Sequence, residues 1–327
     1  MTLVTFGEGL IRLSPPQAGR LPQSGSLDLH VGGSELNVAV GAAHLGVTSR
    51  WVSRLPDNPL GRLIAARAGD QGVDLSLLQW TSDGRVGLYF AEVGGITLYD
   101  RAGSAMSRVT PGSFDWQGAL AGARWFHVSG ITPALSDAAA AATAEALAAA
   151  KAASVTVSYD LNYRPKLWSA DRARQVQEPL LAHVDVLIAN QDDPGLLFGI
   201  DIGRGPEAVA RALQKRFGCP AVAVTLREST GNDPSKLRKA RGAMLLVEGT
   251  VHHAPRVEMD VVDPIGAGDA FDAGLIAARL LEKSWDAALR WGVASSALKL
   301  AVAGDFGHAT PADIDRLLIN DTLQGTR

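Results

Sequence analysis

A single cysteine, Cys219, stands in a chain of 327 residues, so an internal disulfide is excluded and a thiolate metal cluster has too few ligands. Set alone, it reads as a buried, inert thiol. Cationic excess is missing too. The 31 Lys and Arg against 34 Asp and Glu give a formal net charge of -3, which withholds the global basic field of a nucleic-acid binder. Any anionic ligand must then be held by local donors. No apolar run approaches the length needed to cross a bilayer, and the chain opens directly on the strand-like Thr2-Leu3-Val4-Thr5-Phe6. A reducing cytoplasm is the expected location. Also absent are G-x-x-x-x-G-K-[ST] and a G-x-G-x-x-G between the first strand and first helix, which sets P-loop and dinucleotide chemistry aside.

What is present is enough apolar material for a large core: 46% hydrophobic and 20% charged residues. Short β-branched or apolar runs at 3–6, 51–53, 124–128, 155–159, 184–189 and 221–225 read as buried parallel strands. Helical stretches alternate with them at 37–45, 59–71, 136–153, 170–182, 206–217 and 269–282. The pattern predicts an α/β fold, a doubly wound and mostly parallel sheet flanked by helices, with ligands at the carboxyl ends of the strands. One domain over 1–327 is expected. Two segments, at about 10–32 and 85–103, carry strand-like stretches without helical period; they form either a small separate sheet acting as a lid or an antiparallel extension of the main one. The alanine-dense stretch from Ala138 to Ala153 reads as a packed surface helix. The polar, turn-rich stretch 227–242 reads as a loop or a long hairpin.

The sharpest signal is Asp263-Pro264-Ile265-Gly266-Ala267-Gly268-Asp269-Ala270-Phe271, followed by helix-forming residues. Small residues before a helix leave its first N–H groups uncovered, so Gly266, Ala267 and Gly268 form a candidate anion hole at the positive end of the helix dipole. In phosphoryl transfer one residue must accept the substrate hydroxyl proton, and Asp269 is placed to be that base. The residues alone leave open a plainer alternative, in which the glycines make a tight turn and Asp269 caps the helix.

The D-P-I-G-A-G-D run resembles the C-terminal signature of the ribokinase-like (PfkB) carbohydrate kinases, usually D-T-x-G-A-G-D. Gly32-Gly33-Ser34-Glu35-Leu36-Asn37-Val38-Ala39, with Ala43-His44-Leu45-Gly46, resembles their N-terminal signature. The likeness runs through essentially the whole chain and implies a doubly wound domain with a β-sheet lid, ATP with Mg²⁺, and optionally a monovalent cation. Three departures stand out. Pro264 replaces a common threonine and removes a backbone donor. Asn190-Gln191-Asp192-Asp193 resembles N-x-x-E with a shorter carboxylate at Asp193, which suits a water-mediated contact with Mg²⁺. The G-x-x-G that usually follows the nucleotide strand is missing after Thr225-Leu226-Arg227.

Narrower stretches resemble the branch of the family that phosphorylates the 6-hydroxyl of 2-keto-3-deoxygluconate. They are Tyr99 to Ala105, Val128 to Leu135, Asp160 to Trp168, and Leu298-Lys299 with Gly304-Asp305-Phe306. This resemblance places Arg101, with Tyr89 and Tyr99, at the sugar acid, and Arg164 at the sugar acid or an ATP phosphate; a guanidinium pairs bidentately with either. Without it, each arginine reads as a solvated surface charge and each tyrosine as strand packing. Gly33 and Asn37 are expected at sugar hydroxyls, Ile131 at the substrate and Asp305 at its far end. On the ATP and Mg²⁺ side stand Asn162, Asn190, Asp193, Thr225 and Arg227, with no dedicated protein metal site. His127 reads as core, Trp116, Trp125, Trp168 and Trp291 as core or interface packing, and His252-His253 lack a third ligand. The expected partners are a sugar acid and ATP, with no nucleic acid or membrane, in a homo-oligomer formed through the lid strands. Fructokinase, a galactonate-epimer kinase and a catalytically silent sugar sensor stay open as alternatives.

Overall fold

The computed structural model describes residues 2–16, 19–230 and 238–324. In chain order the first half runs β1 (Thr2–Phe6), β2 (Leu10–Ser14), β3 (Asp28–Gly32), α1 (Ser34–His44), β4 (Thr48–Pro56), α2 (Pro59–Asp70), β5 (Leu78–Thr81), β6 (Gly87–Ala91), β7 (Thr97–Asp100), α3 (Trp116–Leu120), β8 (Ala123–Ser129) and α4 (Asp137–Ala152). The second half continues with β9 (Thr156–Asp160), α5 (Ala170–Leu180), β10 (Val186–Asn190), α6 (Asp193–Phe198), α7 (Pro206–Phe217), β11 (Ala221–Thr230), β12 (Arg238–Val247), β13 (Thr250–Asp260), α8 (Ala267–Leu280), α9 (Trp285–Leu300) and α10 (Pro311–Gln324).

Nine strands form one sheet in the order β13-β12-β11-β10-β9-β8-β1-β4-β5. From β5 through β11 every neighbour is parallel, and only the β11–β12 and β12–β13 pairings are antiparallel, so β12 alone runs against the rest. The parallel strands are continuous apolar runs because helices cover both faces. On one face Phe6, Phe126, Tyr159, Leu187 and Val222 pack against helices that include α4. On the other, Leu3, Trp125, Ile188, Ala223 and Leu245 meet α8 and α9. Side-chain caps start several helices where the sequence offers them: Asn58 accepts from Leu60 and Gly61 N–H, and Ser136, Ser169 and Ser284 each accept from a first-turn N–H. The alanine-dense segment is α4, which buries Ala139, Ala142, Ala146, Leu147 and Ala150 as one stripe. His127 sits in the core, bonded to Ser158, and burial pulls its pKa down to about 3, leaving it neutral. Cys219 is fully buried, with its thiol pushed up to about 12.

The two irregular segments resolve the choice left open by the sequence. They build a separate four-stranded sheet, β3-β2-β6-β7. Strand order in the large sheet reverses around β1, with β4 on one side and β8 on the other, so a crevice opens at that switch point outside the carboxyl ends. The small sheet stands over it. The stretch 227–242 is a hairpin, since β11 and β12 pair from Ala221↔Val247 to Thr230↔Arg238, and its tip, 231–237, lies outside the described residues.

Candidate active site

A cleft of about 340 Å³ occupies this crevice. All of the site residues expected from the sequence line it except Asp193. They converge from the ends of the large sheet, from α1 and α8, and from the small sheet.

Asp269 lies in the first turn of α8, which starts two residues earlier than its periodicity suggested, at Ala267. Its carboxylate is gripped on both oxygens. Ser34 Oγ donates to Oδ1 at 2.8 Å, and Asn37 Nδ2 donates to Oδ2 at 2.6 Å. Ser34 in turn accepts from Asn162 Nδ2 at 2.9 Å, so the three residues form a short chain ending on the carboxylate. Asn162 holds φ 40, a left-handed conformation that asparagine tolerates better than most residues. Burial raises the pKa of Asp269, and the bonds from Asn37 and Ser34, with the charges of Arg164 and Lys299, oppose that rise. A helix-capping role would have the side chain accept backbone N–H groups, whereas here its partners are side chains from across the cleft.

Ahead of it, Gly266 is the N-cap at φ 82, and a Cβ there would overlap the carbonyl oxygen of Asp305. Ala270 is the first helical residue whose N–H reaches an i−4 carbonyl, Gly266 O at 2.8 Å. Ahead of it the Ala267 N–H reaches only the Pro264 carbonyl, at a long 3.4 Å, so the first N–H groups of the helix are held weakly or not at all and face a ligand. Gly33 shows the same economy of space. At φ 142 it caps α1, and a Cβ would overlap the Glu8 carbonyl oxygen. Its lack of a side chain therefore answers first to the backbone of β1's exit, not only to a sugar.

The arginines divide. Arg101 is nearly buried and turned toward Glu8: Nε donates to Oε2 at 2.8 Å and Nη2 bonds the same oxygen, while Glu8 Oε1 finds no partner. The carboxylate expected for Arg101 is thus supplied, in this structure, by the protein. Arg164 has no carboxylate within ion-pair distance among the described residues and donates only to the Tyr163 carbonyl at 3.2 Å. Tyr89 stacks on Tyr99 with centroids 5.7 Å apart and bonds through its hydroxyl to Asp305. Asp305 also faces Arg12 Nε at 3.2 Å, and burial pushes its carboxyl up to about 6. Ile131 lines the cleft beyond the end of β8.

At the far end, Asn190 caps the backbone of Asp192 and Asp193 at 2.8 and 3.0 Å. Asp193 departs from expectation. It lies off the cleft wall and accepts the Tyr163 N–H at 3.0 Å, so it reaches the cleft only through that backbone. Thr225 lines the cleft, and Arg227 pairs with Asp192 at 2.8 Å. Opposite Arg227 across the β11–β12 ladder stands Arg241, also in the cleft wall, with Nη1 buried and unpartnered. Burial first, then Arg227, draw its pKa down to about 10. Two guanidiniums facing each other across strands repel, which an anion between them relieves.

Sequence reasoning passed over Glu8, Arg12, Arg241, Asp160 and Asp272. Asp272 is buried and Asp160 half-buried in the cleft floor near Asp269; burial, with the charges of Asp193 and Asp269, raises Asp160 to about 8, and burial, with the charges of Asp160 and Asp269, raises Asp272. Only the acid spacing i, i+3 from Asp269 to Asp272 was a visible signal.

Comparison with known proteins places the chain. Residues 2–307 match the family described as pfkB family carbohydrate kinase. A 2-dehydro-3-deoxygalactonokinase from Haloferax volcanii is 38% identical over 321 residues, 97% of this chain and 96% of the relative. A 2-dehydro-3-deoxygluconokinase from Thermoproteus tenax is 33% identical, covering 93% and 90%. The crystal structure of a 2-dehydro-3-deoxygluconokinase from Thermotoga maritima superposes with a TM-score of 0.91 at 37% identity, covering 97% of this chain and 98% of that one.

Proposed function

Because the chain belongs to the pfkB family of carbohydrate kinases, we propose that it is a sugar-acid kinase that transfers the γ-phosphoryl group of MgATP to the 6-hydroxyl of 2-keto-3-deoxygluconate, which is 2-dehydro-3-deoxygluconate. One observation carries this reading. The Asp269 carboxylate, buried and gripped by Asn37 and Ser34, stands at the N-terminus of α8 in a cleft that also holds Arg164 without a carboxylate partner.

In this mechanism Asp269 takes the proton of the 6-hydroxyl as its oxygen bonds to the γ-phosphorus and the bridging bond to ADP breaks. Charge on the transferring group meets the N–H groups of Gly266, Ala267 and Gly268 at the positive end of the α8 dipole. Magnesium arrives with ATP and offsets phosphate charge. Arg164 takes the sugar carboxylate, with Tyr89 and Tyr99 against the carbon chain and Asn37 and Glu8 Oε1 available to sugar hydroxyls. The nucleotide lies toward Thr225 and Asn190, its phosphates near Arg227 and Arg241. Subunits pair through the small sheet, where Leu29 and Leu98 are exposed.

A second reading takes the C4 epimer, 2-keto-3-deoxygalactonate, as substrate, and the 38% identity to the Haloferax galactonokinase favours it. A coupled ADP-release assay at saturating MgATP with both keto acids and with fructose decides. We expect the keto acids to exceed fructose by roughly three orders of magnitude in kcat/KM, because a neutral sugar leaves a guanidinium donor unpaired in the closed site. Fructose turned over as efficiently as either acid would defeat the carboxylate reading.

A further inference from the structure

The proposed reaction makes no use of Lys299, in the last turn of α9, although its side chain is only 1% exposed. Its Nζ donates to the carbonyl oxygens of Val302 at 2.9 Å and Asp263 at 3.3 Å. No carboxylate lies within ion-pair distance of it among the described residues. A buried ammonium held by main-chain carbonyls is costly unless neighbouring charge compensates. Burial does lower its pKa and Arg12 adds to that, while Asp263, Asp305 and Asp269 favour the charged form. The carbonyl-rich end of α9 favours a cation as well.

Those two carbonyls belong to different turns. Asp263 opens the turn that leads into Gly266, and Val302 lies in the turn that ends at Asp305. The same two turns touch elsewhere: Asp263 Oδ2 accepts the Gly304 N–H at 3.1 Å, and Gly266 packs directly on the Asp305 carbonyl, while Asp263 Oδ1 accepts the Ile265 N–H at 3.1 Å within its own turn. Lys299 therefore ties the turn behind the anion hole to the turn bearing Asp305, from a position outside the cleft lining.

We propose that Lys299 is a positioning residue that acts as an internal monovalent cation, clamping the carbonyls of both turns and so fixing the N–H groups of Gly266 to Gly268 for the transferring phosphoryl group. This deepens the kinase reading and rests on it. Carbonyl oxygens around one compact positive charge are also the ligands that a potassium or ammonium ion accepts. A neutral, shortened side chain at 299 leaves room for such an ion, but none for a bulky one.

The test is run on the wild-type enzyme first, in MgATP and keto acid with tetramethylammonium as the only other cation. Its turnover reports on the kinase reading by itself. Added potassium or ammonium then changes the wild-type rate by less than about twofold, because the position is filled. Lys299→Met lowers kcat by roughly 10- to 100-fold with the sugar KM within a few fold, since what is lost is alignment in the transition state. Lys299→Ala regains roughly tenfold or more with ammonium or potassium and nothing with further tetramethylammonium, while Lys299→Arg does not respond to either ion. A wild-type enzyme that requires added potassium overturns the proposal, and that measurement stands even if the variants fail to fold. A folded Lys299→Ala protein that is impaired yet indifferent to every small cation overturns it too, as does wild-type kcat in Lys299→Met.

Discussion

Arg101→Met separates two roles that one arginine could hold. Arg101 is 7% exposed and Glu8 3%, and the guanidinium bonds a single carboxylate oxygen while the other, Oε1, has no partner. Removing the arginine leaves a buried carboxylate without its ion-pair partner, a loss of about 3 to 5 kcal/mol. At roughly 2 °C per kcal/mol for a chain of this size, the melting temperature should fall by roughly 6 to 10 °C. Adding Glu8→Gln removes the stranded charge, so the double variant should recover most of the loss, and the cycle should return a coupling of about 2 to 3 kcal/mol. Activity supplies the second axis. With Arg164 holding the substrate carboxylate, the double variant should raise the keto-acid KM by less than about tenfold, whereas Arg164→Met should raise it by roughly a hundredfold at unchanged KM for MgATP. Thermal melts of the four cycle proteins, with initial rates at varied keto acid, test both. The reasoning is refuted if Arg101→Met melts like wild type and raises the keto-acid KM a hundredfold, because the partner of Arg101 would then be the substrate and not Glu8.

Two further outcomes follow from the same geometry. Asp269→Asn keeps the shape of the side chain and one acceptor oxygen, and the Asn37 amide can turn its unpartnered Oδ1 to the new NH2, so ATP and sugar affinities by calorimetry should stay within a few fold while turnover drops by about two to four orders of magnitude; turnover near wild type would make Asp269 structural. Glu35 is fully buried, accepts from Ser129 and Thr132 on Oε1, leaves Oε2 unpartnered, and has its carboxyl pushed up to about 7 from an ordinary 4.5. A carboxyl raised on folding contributes stability that is present below 4.5 and lost as pH rises through 7, so melting curves of Glu35→Gln should gain on wild type by roughly 2 to 3 kcal/mol between pH 5 and 8; an advantage that shrinks with pH contradicts this.

Much of the architecture was legible because buried parallel strands have to be apolar on both faces: Val184 to Ala189 and Ala221 to Thr225 stand out for that reason, and β10 and β11 include most of both. The antiparallel edge was harder. In β13, exposed and half-buried positions alternate through His252, His253 and Arg256, so no continuous apolar run marks it. Helix α9 escaped the same way. It is buried nearly all round, Ala288 to Ala297, and shows almost no amphipathic stripe. In the site, the glycine turn and Asp269 were visible because a local run encodes them. Glu8 with Arg101, Arg12 with Asp263 and Arg241 opposite Arg227 were not, since the first two pairs are far apart in sequence, 93 and 251 positions, and the third depends on the register of a hairpin.

The contact between Gly266 and Asp305 bears on redesign. Asp305 offers its main-chain oxygen to the glycine of the phosphate turn and its side chain to Tyr89 on the small sheet. In the proposed reaction one residue is therefore a shared wall between the sugar and the phosphate sides of the cleft. Grafting a different small sheet to change the sugar accepted would displace Tyr89, release Asp305 and shift the wall on which Gly266 rests. Changes of specificity in this protein should come more cheaply at Ile131, which lines the cleft from the end of the large sheet, than at Tyr89 or at Tyr99 stacked on it.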